Sequence, residues 1–568
     1  MNTTKPCIAI FSGPTATIQN SEPLVTSNKA REKYELPLLK NSDGSPIRFD
    51  VLRPQRLAAP VTVYIEQFSA HPLERDASEL YAPPDGYLDA SGNFHNDRQG
   101  SDDVPVYEVT LRPADGVYPL PYMARQADGQ PWNGDGTYPL APSEFNRQSY
   151  YPDASRIFEE IDRLGIGHSG IGNLLSSKAD FDFYRPAPSG GYKKGLPATQ
   201  RTDVGEGDVP TESLGQDFFV YRPGHLRRSP TMSDLARLTN VVQKAMKTKK
   251  YAGAIWLEGS ANIEETIYWL NLLIDTTVPI VGNASQRPHG SVGNDGDLNM
   301  IHSVEYICSR VWANESGNDE IGALLLQEKQ LFTARDVKKG DARPGGYVAA
   351  GGHGGIVGTM GNSGPAVVTF KPVKKHTHSS AVNTSHLPES VSGVLKVDDR
   401  LKTVSVQIKD GENNLLPTAI PKVTIIKTAR YLSERRDTDP AMEVELLARI
   451  EKNLQEFPLA GIVAEGVSPY GNVTESISAA LRKAALSGMP VVRVGRGNAE
   501  GMSPPPTNEE LLIAGNNLTA TKARLLMMSC LMKLGSLPPV NDSDRPTEAE
   551  IAAIKNKLTV YQVIFDTH

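Results

Sequence analysis

At 568 residues the chain is too long for one ordinary core, so two or three domains are expected. Charged residues make up 22% and hydrophobic ones 39%, the composition of a soluble globular protein. A formal net charge of −7 argues against a nucleic-acid surface, and no apolar run reaches the ~18 residues of a membrane helix.

The opening segment MNTTKPCIAIFSG has a five-residue apolar stretch, CIAIF (7–11), and no small-residue cleavage site. It reads as a buried strand bounded by SGPT, not as a signal peptide. Residues 40–225 differ in texture, being rich in Pro, Gly, Asp and Tyr. Alternation in VTVYI (61–65) and VPVYEVTL (104–111) predicts strands. DASRIFEEIDRL (153–164) predicts one short helix behind an Asp or Ser cap. The region reads as an irregular β-rich insertion.

From residue 229 the pattern becomes strand–helix alternation. Met232, Leu235, Leu238, Val242 and Ala245 form one helical stripe. GAIWL, a helix from Ile263, the strand VPIVG, a helix through LNMIHSVEYICSRV and the strand GALLLQ (322–327) follow. Residues 376–420 are polar and uneven and read as a linker. A second run then supplies KVTIIKT, AMEVELLARIEKNL, AGIVAEG, SISAALRKAALSG, PVVRVG and LTATKARLLMMSCLMKLG. Such alternation implies parallel-rich sheets with ligands at the carboxyl ends of the strands.

Three cysteines, Cys7, Cys308 and Cys530, lie far apart with no CxxC pair. They suit buried thiols in a reducing compartment. The eleven histidines show no zinc spacing, and KHTHSS (375–380) reads as a solvated loop. RPGGYVAAGGHGGIVGTMG (343–361) has the glycines of a phosphate loop but lacks its Gly-Lys-Ser/Thr ending. It reads as a flexible loop around a site.

The stretch EGSANIEETIYWLNLLIDTTVPIVGNASQRP resembles the bacterial asparaginase/glutaminase family, whose motif His-Gly-Thr-Asp-Thr precedes a Glu-Glu-Thr helix. NDGDLNM, FSGPT, SPTM, FTARDVKK, GVSPYGNV and GMPVVRVGR match further family segments in order. The resemblance covers about two-thirds of the chain, leaving out the insertion. It implies a two-domain α/β fold with parallel-rich sheets: an N-terminal domain over 1–375 carrying the 40–225 insertion, the 376–420 linker, and a C-terminal domain over 421–568. It also implies an amide hydrolase working through a threonine nucleophile and an acyl-enzyme. Neither cofactor nor metal is implied, the substrate is a small amide, and a cytoplasmic homotetramer or homodimer is expected, with no nucleic-acid or membrane partner.

Carried over by position, Thr15 matches the attacking threonine, with Thr17 a competing nucleophile. Ser260 matches the second hydroxyl and Lys339 the lysine behind it; Tyr34 is the candidate for the tyrosine that assists the attack. Such roles suit hydroxyls, which need a nearby base to become good nucleophiles. Ser229 matches the residue that holds a substrate carboxylate, Gly259 and Ala261 flank Ser260 in the substrate-binding turn, and Asn472 matches a residue lent to a neighbouring subunit. Asn262 fits the helix N-cap, which frees Ser260 for chemistry. Glu500, Glu509 or Glu510 could add an acidic contact across a subunit interface.

Two departures bear on function. Pro14 replaces a glycine and removes a backbone N–H beside the nucleophile. Ala261 replaces the aspartate that grips the α-ammonium of asparagine. The expected reaction is therefore hydrolysis of a carboxamide other than L-asparagine. The alternatives are a true L-asparaginase/glutaminase, an ammonia-donating amidotransferase subunit, or an inactive binding protein of the same fold.

Overall fold

The computed structural model describes residues 5–13, 231–260, 262–287, 293–350, 354–361, 366–428, 439–496, 502–506 and 510–568. Between 14 and 230 it describes 18–19, 25–27, 43–45, 49–55, 61–65, 85–89, 94–111, 118–121, 149–150, 161, 175–187 and 191–194. Contacts divide the chain into two units, one mainly of residues 14–229 with 285–298, the other of 6–13, 230–284 and 299–568.

The first unit is rich in β-structure, as its alternating stretches predict. Val61–Ile65 and Val104–Leu111 are strands. They lie in a seven-stranded antiparallel sheet with Phe94–His95, Gly86–Leu88, Val25–Ser27, Phe49–Gln55 and Tyr118–Pro121. Val25–Ser27 precedes residue 40, so this sheet begins before the expected insertion boundary. Three residues are too few to show a period of two. The expected helix over 153–164 falls outside the described residues except at Ile161.

The second unit begins with β1 (Cys7–Ser12), whose Ile8 to Phe11 are wholly buried. Chain order then gives α1 (Met232–Lys247), β2 (Gly253–Leu257), α2 (Ile263–Leu273), β3 (Ile280–Asn283), α3 (Gly296–Ser309) and β4 (Leu324–Gln327). Strands β1 to β4 are parallel neighbours in that order. Their unbroken apolar runs fit strands covered on both faces. Thr231 and Asp234 close a capping box that starts α1, which the sequence stripe anticipated.

Beyond β4 the sheet turns antiparallel. β5 (Gln330–Thr333) pairs with β4, and a short hairpin of β6 (Val337–Lys339) and β7 (Tyr347–Ala349) follows. β8 (Ile356–Met360) and β9 (Ala366–Val368) complete the sheet edge. The segment 343–361, expected as a flexible loop, therefore contains two strands. Its glycines disguised them, because Gly lowers strand propensity without forbidding pairing.

The expected linker also carries structure. β10 (Ser390–Val397) and β11 (Arg400–Gln407) form a regular antiparallel hairpin. Val394 enters an apolar cluster with Leu446, Ile450, Ile462 and Leu481. His376 and Thr377, expected in a solvated loop, are buried in a 3-10 turn. Ser380 donates to the carbonyl of Leu272 at 2.8 Å, and Asn383 donates to that of Thr377 at 2.9 Å. Polar composition misled here because hydrogen bonds, some local and some to distant elements, satisfy these side chains inside the fold.

The last part holds a parallel sheet of β12 (Lys422–Lys427), β13 (Ala460–Gly466), β14 (Val491–Gly495) and β15 (Ile513–Ala514). Helices α4 (Val444–Glu456), α5 (Glu475–Leu486) and α6 (Ala520–Leu534) occur where their apolar spacing predicts. α7 (Glu548–Thr567) starts at a Thr547–Glu550 capping box. α6 packs on this sheet and also on α2, so one helix serves both α/β parts. The protein is an α/β fold with parallel-rich sheets. Among the described residues no helix is long and apolar enough to cross a membrane. Cys530 is buried, whereas Cys7 and Cys308 are only half-buried.

Candidate active site

Strand β2 delivers its carboxyl end into the turn Glu258–Gly259–Ser260. Gly259 turns the chain by accepting from the N–H groups of Asn262 and Ile263 at 3.0 and 3.2 Å. α2 starts there. Asn262 occupies the N-cap position as expected, but its side chain makes no capping bond. Ser260 stands at the head of that helix, half-buried.

The hairpin β6–β7 reaches the same place. Lys339 and Tyr347 are directly opposed across the hairpin, so both project from one face. The ammonium of Lys339 lies 4.4 Å from the centre of the Tyr347 ring, within cation–π range. The Tyr347 hydroxyl donates to the Ser260 carbonyl at 2.5 Å and lies 3.4 Å from Ser260 Oγ. Ser260 and Lys339, both matched from sequence, thus meet on one tyrosine side chain.

Two supports hold the hairpin. The Glu264 carboxylate, in the first turn of α2, accepts from the backbone N–H of Lys339. At the tip, Arg343 bonds Asp341 and holds its carboxyl down to about 2. Gly346 accepts from the N–H groups of Gly340 and Asp341, fixing the register that pairs Lys339 with Tyr347.

Lys522, from α6, underlies both elements. Its ammonium donates to the carbonyls of Glu264 and, at 2.6 Å, of Ala334, and it lies 5.1 Å from the Tyr268 ring centre. Burial drives its pKa down to about 8, with the nearby carboxylates of Glu264 and Asp336 opposing the shift. Sequence reasoning missed Tyr347, Glu264 and Lys522. The Pro344-Gly345-Gly346 turn within the seven residues between Lys339 and Tyr347 was the available signal for the first. The second sits in the Glu-Glu-Thr helix already matched, and nothing local marks the third.

Glu258 occupies the place of the family's histidine. Its carboxylate accepts from Trp256 Nε1 at 2.8 Å and lies against Gly13. A Cβ at Gly13 would come within 2.9 Å of the Trp256 ring and 3.1 Å of Glu258, so a glycine is required for this approach. Asn299, from the matched Asp-Gly-x-x-Asn segment, donates to Ala284 and Gln327 and ties α3 to the ends of β3 and β4.

The remaining matched positions divide as follows. Asn472 is exposed on the turn after β13, and its carbonyl accepts from Val467. Thr15, Thr17, Tyr34, Ser229 and Ala261 lie outside the described residues, as do Glu500 and Glu509. Glu510 is engaged within the chain by Arg493 at 2.8 Å. Among the described residues no cluster of three or more His, Cys, Asp or Glu could hold a metal.

An α/β sheet that presents a serine turn and a lysine-bearing hairpin at a strand's carboxyl end has relatives. The asparaginase N-terminal family model matches residues 228–359, which span Ser260, Lys339 and Tyr347. Over these residues the chain is similar to the asparaginase family.

A glutaminase-asparaginase of Acinetobacter glutaminasificans is 32% identical over 192 residues, 34% of this chain and 52% of that protein. The chain thus aligns with about half the length of that relative. L-asparaginase 2-3 of Saccharomyces cerevisiae is 24% identical over 371 residues, 64% of this chain and 84% of the yeast protein. A crystal structure titled as a probable cytoplasmic L-asparaginase from Campylobacter jejuni superposes with a TM-score of 0.42 at 19% identity. It covers 60% of this chain and 85% of that one.

Proposed function

We propose that the protein hydrolyses a carboxamide through a threonine nucleophile. In this reading Thr15 Oγ adds to the amide carbon and its proton passes, by way of the Ser260 and Lys339 side, to the departing nitrogen. The C–N bond breaks and ammonia or an amine leaves. Water then cleaves the acyl-threonine ester, releasing the acid and restoring the hydroxyl. The observation that carries the reading is the Ser260–Tyr347–Lys339 cluster at the carboxyl end of β2, inside the segment that the family model matches.

Related proteins bear the names asparaginase and glutaminase-asparaginase, yet Ala261 stands in place of the ammonium-binding aspartate. An ammonium buried without its counter-charge costs about 3–5 kcal/mol. A penalty near ~3 kcal/mol lowers specificity by about two orders of magnitude. Glu258, beside that turn, has one carboxylate oxygen held by Trp256 Nε1. The substrate is therefore a small amide lacking a free α-amino group. The enzyme is proposed to work in the cytoplasm as a homodimer or homotetramer, with Asn472 serving a neighbouring copy.

Ammonia release from L-asparagine, L-glutamine and amides without the α-amino group tests this directly. Turnover is expected for the last class, weak or no turnover for the amino acids, and none with Thr15→Ala. Efficient L-asparagine hydrolysis would remove the message read from Ala261. Loss in Thr17→Ala with full activity in Thr15→Ala would move the nucleophile.

A further inference from the structure

We infer that Tyr347 is a positioning residue that seats Lys339 and holds Ser260. The inference rests on the amidase reading for its kinetic meaning, but its geometry stands apart from it.

Lysine is a flexible point charge on a four-carbon stem, so its usefulness at a site depends on what restrains it. On the strand face of β6 the side chain of Lys339 has one cross-strand neighbour, Tyr347. The ring lies 4.4 Å below the ammonium and offers it the negative face of the aromatic quadrupole. The same residue's hydroxyl is spent on Ser260, at 2.5 Å to the carbonyl and 3.4 Å to Oγ. One side chain therefore restrains the base through its ring and the hydroxyl-bearing turn through its phenol. Tyr347 is itself only 5% exposed, so neighbouring groups hold its own orientation.

The two halves of this role separate by substitution. Tyr347→Phe keeps the ring under Lys339 and deletes the bond to Ser260. Tyr347→Leu removes both. For amide hydrolysis, Tyr347→Phe is expected to lower kcat about tenfold, the equivalent of one ordinary hydrogen bond, with KM and the basic limb of the pH profile unchanged. Tyr347→Leu is expected to lower kcat about a hundredfold and to shift that limb.

A second readout needs no turnover: the NMR titration of the Lys339 side chain in isotope-labelled protein, assigned with Lys339→Met. It should match wild type in Tyr347→Phe and move in Tyr347→Leu. Wild-type kcat in both variants, or a Lys339 titration unaffected by Tyr347→Leu, would overturn the inference. A wild-type protein inert on every amide would sink the proposed function alone. The Lys339 titration would then decide the role of Tyr347.

Discussion

Lys338 and Lys339 are chemically identical neighbours that the fold treats differently. Lys338 points outward on β6, whereas Lys339 turns inward over Tyr347. General-base assistance is worth on the order of 10²–10⁴-fold in rate. Lys339→Met should cost about that much in kcat/KM while Lys338→Met stays near wild type; equal effects would show that the register is misread. Gly322 is a second position where one residue decides. Its φ of +82° favours glycine, and a Cβ there would sit 2.6 Å from His376 Cγ and 2.7 Å from Asn271 Oδ1. Asn271 Oδ1 also accepts from Ala323 N–H at 3.0 Å. Gly322→Ala should therefore lose roughly 2–4 kcal/mol through left-handed strain and overpacking. A denaturant midpoint unchanged from wild type would contradict this.

At the scale of elements, α6 shows how packing supplies what local sequence does not announce. Its Lys522 reaches carbonyls belonging to α2 and to the turn before β6. Both bear on the candidate site. Removing the ammonium leaves two carbonyls short of a donor, so Lys522→Met should destabilise by roughly 1–3 kcal/mol near neutral pH. Its pH dependence has a definite sign. The folded pKa, about 8, lies below the ordinary 10.5. Below about 8 both states carry the proton and the full burial cost is present. Between about 8 and 10.5 the unfolded chain binds more protons, so the wild type gains stability as pH rises. The difference between wild type and Lys522→Met should widen from pH 8 to 10. A constant difference, measured by urea unfolding at each pH, would show that Lys522 titrates as an exposed lysine does.

At the scale of the molecule, the β-rich insertion over 40–225 enters the chain between Thr15 and Ser229, two positions matched to one pocket. It is proposed to shape or cover that pocket and so restrict the amide accepted. Hydrogen exchange in the presence of a bound acid product should slow amides within 40–225 as well as around Ser260. Protection confined to 230–568 would make the insertion a separate module.

Local patterning alone was enough to locate the parallel strands and most helices of the α/β parts. Their apolar runs and 3.6-residue stripes are local signals with few competing readings. The sequence also nominated Ser260 and Lys339, since a motif register carries positions without needing contacts. It did not reveal the β6–β7 and β10–β11 hairpins, whose glycines and outward polar residues look like loop until cross-strand neighbours are known. It misread the buried 376–380 turn, where hydrogen bonds from distant elements satisfy polar groups. Tyr347 and Lys522 became part of the site only in three dimensions. Their roles depend on pairings eight and about two hundred and sixty residues away from the groups they hold, and no periodicity in a chain encodes a distance of that kind.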